Sequence, residues 1–554
     1  MTHVLLALLI STLAAAQTQA RIEGQVTNAA GGILSKATLR LQGANPSKST
    51  NYAAESDASG NFVFENVEPG SYTLSAERSG YVRGLYNVSL SNSQGVFSLS
   101  AGQSLQGIAI KLSPQAVITG RVTDQDGEPM SKARVTAYRR IYQAGHWQLQ
   151  PSTAATTALD GTFQIGGLPA GRYYLGAEDS QASVMEPAKE EPGREGPESR
   201  YVMTFHPGAL DPATAVPVEV GAGMEAGRID IRMRRERVHR IRGKAVNTLS
   251  GAPATNIALG CAPARNDASL NIPGSRMNLV RGVDGFFEFS GLLPGTYVIS
   301  TQGGVQLNGR NLFPDTGLVA RRIVNVGDKN VDDVILQLAP PAEVAGTIRM
   351  DGTTAAGVVA TVGLIALEGQ TRNNSQFVQS KNDGTILIPG VGPNVYRVAV
   401  GGLPAGTYVK SIRCSGQDVT KAALDLTAGA GGNLEIIVSP DAASVTGTVR
   451  NDKGDPSAGV LVTLWERGSS GVAEFVRNSA TDQNGGFRFQ SLPPGEYRIA
   501  AWEQIEPNMA NVPEFRGKFE TQAAAVHLTP KSHESVDVKL VTRDVIEIEA
   551  AKLR

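Results

Sequence analysis

The chain has little that would build helices, disulfides or a membrane span. Over its 554 residues no long segment keeps apolar residues at the three-and-four spacing of an amphipathic helix, which excludes helical bundles and doubly wound α/β folds. Only two cysteines are present, Cys261 and Cys414, too few for a disulfide framework, and both are expected as buried free thiols. Charge is balanced, with 51 Lys and Arg against 52 Asp and Glu. No long-range field draws nucleic acid or anionic lipid, and neither is expected as a partner. One apolar run, residues 4–16, is too short for an ordinary span and ends in small residues. It reads as a signal peptide over residues 1–20, cut after Ala16 or Ala20. That implies export to the periplasm, cell surface or medium, with no membrane span afterwards and no cysteine following it for a lipid.

Catalytic patterns are missing too. The six histidines, His3, His146, His206, His239, His527 and His533, are scattered, and there is no G-x-S-x-G turn and no phosphate-cradling loop. No catalytic residue, metal ligand or cofactor is expected, and the chain reads as a non-enzyme.

What is present is a repeat. A glycine is followed at fixed offsets by two apolar residues and, twelve positions on, by a tyrosine. The copies are Gly60, Phe62, Phe64, Tyr72; Gly161, Phe163, Ile165, Tyr173; Gly285, Phe287, Phe289, Tyr297; Gly384, Ile386, Ile388, Tyr396; and Gly485, Phe487, Phe489, Tyr497. Recurrence at about 100 residues is a row of modules, each large enough to bury its own core. The expected order is a signal peptide, sandwiches over 21–113, 114–236, 237–341, 342–440 and 441–541, and a C-terminal tail over 542–554.

Every module opens with an alternating strand carrying a central glycine, as in Ile22-Glu23-Gly24-Gln25-Val26 and Val445-Thr446-Gly447-Thr448-Val449. Glycine on the buried face permits close packing or a bulge. Asp-Gly and Pro-Gly turns then fix the hairpin length, so the tyrosine strand starts at one place. A closing alternating strand follows, such as Val334-Ile335-Leu336-Gln337-Leu338. The fold class is therefore all-β, five tandem Greek-key β-sandwich modules of prealbumin-like or immunoglobulin-like type, and short proline-bearing joints favour an extended array. The second module carries an insertion near 185–199, too polar to order itself, and expected as a mobile surface loop. The fourth lacks the Pro-Gly turn before Tyr396 and is the divergent copy.

Together these segments resemble the carboxypeptidase regulatory-like domain, a prealbumin-like or transthyretin-like sandwich related to CnaB-type modules of bacterial surface proteins. The likeness covers nearly all of residues 21–541. It implies a domain that accompanies a catalyst rather than being one, and indeed no histidine begins the His-x-x-Glu pair of the metallocarboxypeptidases. It also implies a likeness to the starch-binding fold. CnaB-type isopeptide cross-links would need a lysine on the opening strand. Lys244 occupies that position, but the other copies have Gln25, Arg121, Thr347 and Thr448 there, so no cross-link is expected.

Three local features remain. Asp124-Gln125-Asp126-Gly127-Glu128 crowds three carboxylates, which reads as a capped hairpin turn because the full calcium-loop ligand pattern is missing. Arg234, Arg235, Arg237 and Arg240 read as a solvated edge that discourages strand pairing. Tyr138, Tyr142 and Trp147 share one predicted hairpin, and with Trp465 and Trp502 they are the candidates for stacking on sugar rings, although such residues more often fill a core. The first expectation is an exported, monomeric scaffold, spacer or adhesion element at the cell envelope. The alternative is a carbohydrate-binding protein holding a polysaccharide, and a weaker one an accessory subunit of a peptidase or outer-membrane complex, with envelope proteins as partners.

Overall fold

A computed structural model describes residues 19–44, 50–86, 95–143, 146–179, 185–187, 198–264, 276–280, 282–302, 305–307, 310–313, 317–352, 357–367, 375–429, 431–468, 475–505 and 509–552. They form two compact units, one built around the first module and the other around the remaining four.

The opening strands are Ala20–Asn28, Ala116–Thr123, Arg234–Asn247, Ala342–Met350 and Ala443–Arg450. Each pairs antiparallel with the strand that carries the two apolar repeat residues and parallel with a closing strand, as Gly243 does with Phe287 and Val334. The central glycine is required by that parallel neighbour. A Cβ added at Gly24, Gly120, Gly243, Gly346 or Gly447 would collide with the carbonyl oxygen of Ile108, Ile229, Val334, Leu434 or Val536, respectively.

The tyrosine strands, Gly70–Glu77, Gly171–Asp179, Gly295–Gln302, Val395–Gly401 and Gly495–Trp502, lie in the facing sheet. Each pairs with a return strand: Thr38–Gly43, Ala133–Gln143, Ile257–Pro263, Thr361–Ala366 or Leu461–Glu466. The return strand in turn carries an edge strand: Asn51–Glu55, His146–Thr156, Arg276–Val280, Ser375–Gln379 or Val476–Ala480. Modules one, three, four and five each bury a separate cluster between their sheets. In the fifth, the closing strand Val538–Val541 pairs with both the opening and the tyrosine strand, so its two sheets run into one.

The repeated tyrosines are at most 8% exposed. Tyr72 donates its hydroxyl to the carbonyl of Glu68, Tyr297 to that of Leu293, Tyr396 to that of Gly392 and Tyr497 to that of Pro493, each four residues back and at 2.8–2.9 Å. This is the tyrosine corner of β-sandwiches. The fourth module keeps it without a Pro-Gly turn, and adds the strand Tyr408–Cys414 beside its closing strand.

Two expectations are corrected. The ends of the insertion in the second module are ordered strands on the third: Met185–Pro187 pairs parallel with Arg276–Val280, and Glu198–Val202 pairs antiparallel with the opening strand. Backbone pairing with a neighbouring sheet does what the segment's own composition cannot. Residues 188–197 lie outside the described residues. The arginine run is not a solvated edge either, because Glu198–Val202 pairs along it and Arg240 is 8% exposed. The guanidinium of Arg240 reaches Glu198 at 2.6 Å and Glu288 at 2.9 Å, and Glu288 also binds Arg242 at 3.0 Å. The C-terminal tail contains helix α2 (Arg543–Lys552), preceded in the fifth module by the short helix α1 (Pro513–Gly517), which starts with proline in its first turn.

Candidate functional site

The fifth module has apolar residues on both faces of its tyrosine strand. Tyr497, Ile499 and Ala501 face the core, while Ala500 and Trp502 point to the other side. That second side would be open to water were it not covered by Ala510, Val512, Phe515, Phe519 and, from α2, Ile546. Trp502 lies 5.4 Å from Phe515 and 5.0 Å from Phe519 between ring centroids. Its indole N–H donates to Thr463 Oγ1 at 3.0 Å, and Thr463 donates in turn to Asn478. Trp465 donates to Glu520 at 3.4 Å, and the same carboxylate accepts from Arg498. Arg516, 1% exposed, donates to the Ala510 carbonyl and sits 5.7 Å from the Trp465 ring centroid.

Onto this cluster packs the hairpin of the second module formed by Ala133–Gln143 and His146–Thr156. Tyr142 and Trp147 are directly opposite in its register, with ring centroids 5.4 Å apart, and both lie against the cluster of the fifth module. Arg140 stacks on the other ring partner, 4.2 Å from the Trp147 centroid. Tyr138, further down the hairpin, is 3% exposed and belongs to a smaller cluster with Leu149, Tyr174 and Phe205. The second and fifth modules are therefore not held apart by the short joints between them.

The stacking candidates fall in these two clusters. Tyr138, Trp465 and Trp502 are 3, 4 and 1% exposed, which leaves no ring face for a sugar. Tyr142 and Trp147 are half-buried, with apolar surface turned to the fifth module. All three tryptophans of the chain thus meet in one junction.

Other candidates resolve into turns. Asp124 Oδ1 accepts from the amides of Asp126 and Glu128 at 2.9 Å. Burial pulls its carboxyl upward, but these amide bonds outweigh that and hold it below the usual range. Among the described residues no group of three or more His, Cys, Asp or Glu could hold a metal. Lys244 is exposed on its strand. Cys261 is fully buried, and burial pushes its thiol up to about 12; Cys414 is also buried, and neither is in a disulfide. A cleft of about 340 Å³ lies between the third and fourth modules beside Arg321 and Arg322, without a catalytic constellation.

One repeat feature escaped the sequence reading. Ser56, Thr157, Ser380 and Thr481 each stand four residues before the turn glycine and are at most 6% exposed. Each hydroxyl donates to one carbonyl and accepts one amide of the return-strand entry, as Ser380 does with Val358 and Ala360. The constant offset from the glycine was the available signal, hidden by the alternation of Ser and Thr and by Arg281 in the third copy.

An all-β chain of tandem sandwiches closed by tyrosine corners is the class these features define. Residues 21–103, 117–190 and 444–541 match the model of the carboxypeptidase regulatory-like domain. No curated protein matches it. Similar solved structures include the Bacillus anthracis TIE protein, at 10% identity over 91% of this chain and 68% of that one, TM-score 0.15. A streptococcal ancillary pilin is 12% identical over 58% and 98%, TM-score 0.17. GBS52, the minor pilin of Streptococcus agalactiae, is 13% identical over 39% and 96%, TM-score 0.20. No helix among the described residues is long and apolar enough to cross a membrane.

Proposed function

We propose that this chain is a non-enzymatic, exported scaffold or spacer of the cell envelope, in which sandwiches hold other surfaces at set positions. The observation that carries the reading is the use of its aromatic residues: Tyr142, Trp147, Trp465 and Trp502 join two modules instead of facing solvent. A binding protein for polysaccharide would present such rings. Export draws support from the apolar run at residues 4–16. On that reading the cut falls after Ala16, because Ala20 is 1% exposed within the first core and removing it would open a cavity there.

Affinity electrophoresis through gels cast with a panel of envelope and plant polysaccharides tests the reading. The full chain is expected to migrate unretarded in every gel. Retardation that disappears in Trp147→Ala, with thermal unfolding unchanged, would favour polysaccharide binding instead.

A further inference from the structure

The five edge strands are equivalent in the repeat, each leading into the turn glycine, yet they are protected differently. Exposed sheet edges invite pairing with another chain and are usually blunted by charge, proline or a covering segment. Asn51–Glu55 ends in an exposed Glu55. His146–Thr156 contains Pro151. Arg276–Val280 is covered by the added strand Met185–Pro187. Val476–Ala480 carries the exposed Arg477, and its Asn478 bonds to Asn511. Ser375–Gln379 has none of these devices: its sequence is Ser-Gln-Phe-Val-Gln, and it is the end strand of its sheet, with no second partner strand among the described residues.

Phe377 on this edge is 55% exposed. It lies across Gly363 of the return strand, directly opposite in the register, where any Cβ would collide with the ring. Val378, on the other face, packs against the module's core. The strand therefore presents an outward aromatic, a core-side aliphatic and no charge.

We infer that Ser375–Gln379 is a dimerisation edge that pairs antiparallel with the same strand of a second copy of this chain. A two-fold axis normal to the sheet and passing through Phe377 keeps outer residues opposite outer ones. Phe377 then meets its own counterpart, and Gln376 meets Val378. The pairing is self-complementary, brings no like charges together, and gains an aromatic cross-strand pair. The third module supplies the internal precedent, since its equivalent edge already takes an additional strand. The pairing rests on this edge alone and not on the envelope reading. It replaces the monomer expected from the sequence.

Sedimentation equilibrium of the full chain across the micromolar range tests this. The wild type is expected to show a concentration-dependent dimer, and Phe377→Lys only monomer, with circular dichroism and melting unchanged. Phe377→Cys, oxidised, is expected to give a covalent dimer, because the two new thiols would face each other while Cys261 and Cys414 stay buried. A wild type that remains monomeric, a dimer that survives Phe377→Lys, or a Phe377→Cys chain that forms no disulfide would overturn the inference. The first of these would leave the edge to a strand from a different protein.

Discussion

A methyl group is enough to decide whether the opening strand of each module can lie beside its closing strand. At Gly243 the Val334 carbonyl and the Phe287 ring already fill the space a Cβ needs, and the obstructing atom is backbone, which cannot rotate aside. Gly243→Ala is expected to destabilise the third module by about 1–3 kcal/mol, read as a lower urea midpoint. The corner tyrosines act at the same scale. Burial lifts the phenols of Tyr72, Tyr297 and Tyr396 from 10.0 to about 12. A folded-state pKa above the unfolded one means the contribution is complete below pH 10 and is lost as pH rises through about 12. Urea midpoints should fall over that interval, and Tyr297→Phe should flatten the third module's share of the fall. The central strand glycines and the corner tyrosines were legible because their chemistry leaves no substitute at those positions. The serine and threonine bridges were not, because either hydroxyl serves.

Strands and loops are governed by what they pair with, and here the sequence was a poorer guide. The insertion after the second tyrosine strand is polar, and polarity alone reads as disorder; its ends are nevertheless strands because the edges of the third module offer backbone partners. Arg240 follows from that docking. Burial pushes the Glu198 carboxyl up, but the guanidiniums of Arg240 and Arg200 outweigh it and hold it below its usual range. Removing the cation would leave Glu198 and Glu288 facing each other where little water reaches. Arg240→Ala is expected to cost about 3–5 kcal/mol and to make the Glu198–Val202 segment cleavable by trypsin in native buffer. A melting point equal to the wild type's would show the network to be incidental. Sequence alternation could place Arg240 on a strand, but its partners come from a segment 42 residues earlier and from the strand of the apolar pair, 48 residues later.

For the whole molecule, the decisive fact is that apolar surface on both sides of one strand must be covered by something. Ile499-Ala500-Ala501-Trp502 carries this two-sided pattern in the sequence, and Phe515 and Phe519 sit at helical spacing after it, so a second layer on the fifth module could have been expected. That the hairpin of the second module completes this layer could not, since nothing local to either segment names the other. Because Trp147, Trp465 and Trp502 all lie in that junction, intrinsic fluorescence reports on it without interference from any other tryptophan. The most direct test is therefore the tryptophan emission of the full native chain with and without added polysaccharide, together with its quenching by iodide. A structural junction predicts blue-shifted emission, weak quenching and no response to polysaccharide. Red-shifted emission with a strongly quenched fraction, or a spectral change on adding polysaccharide, would contradict it.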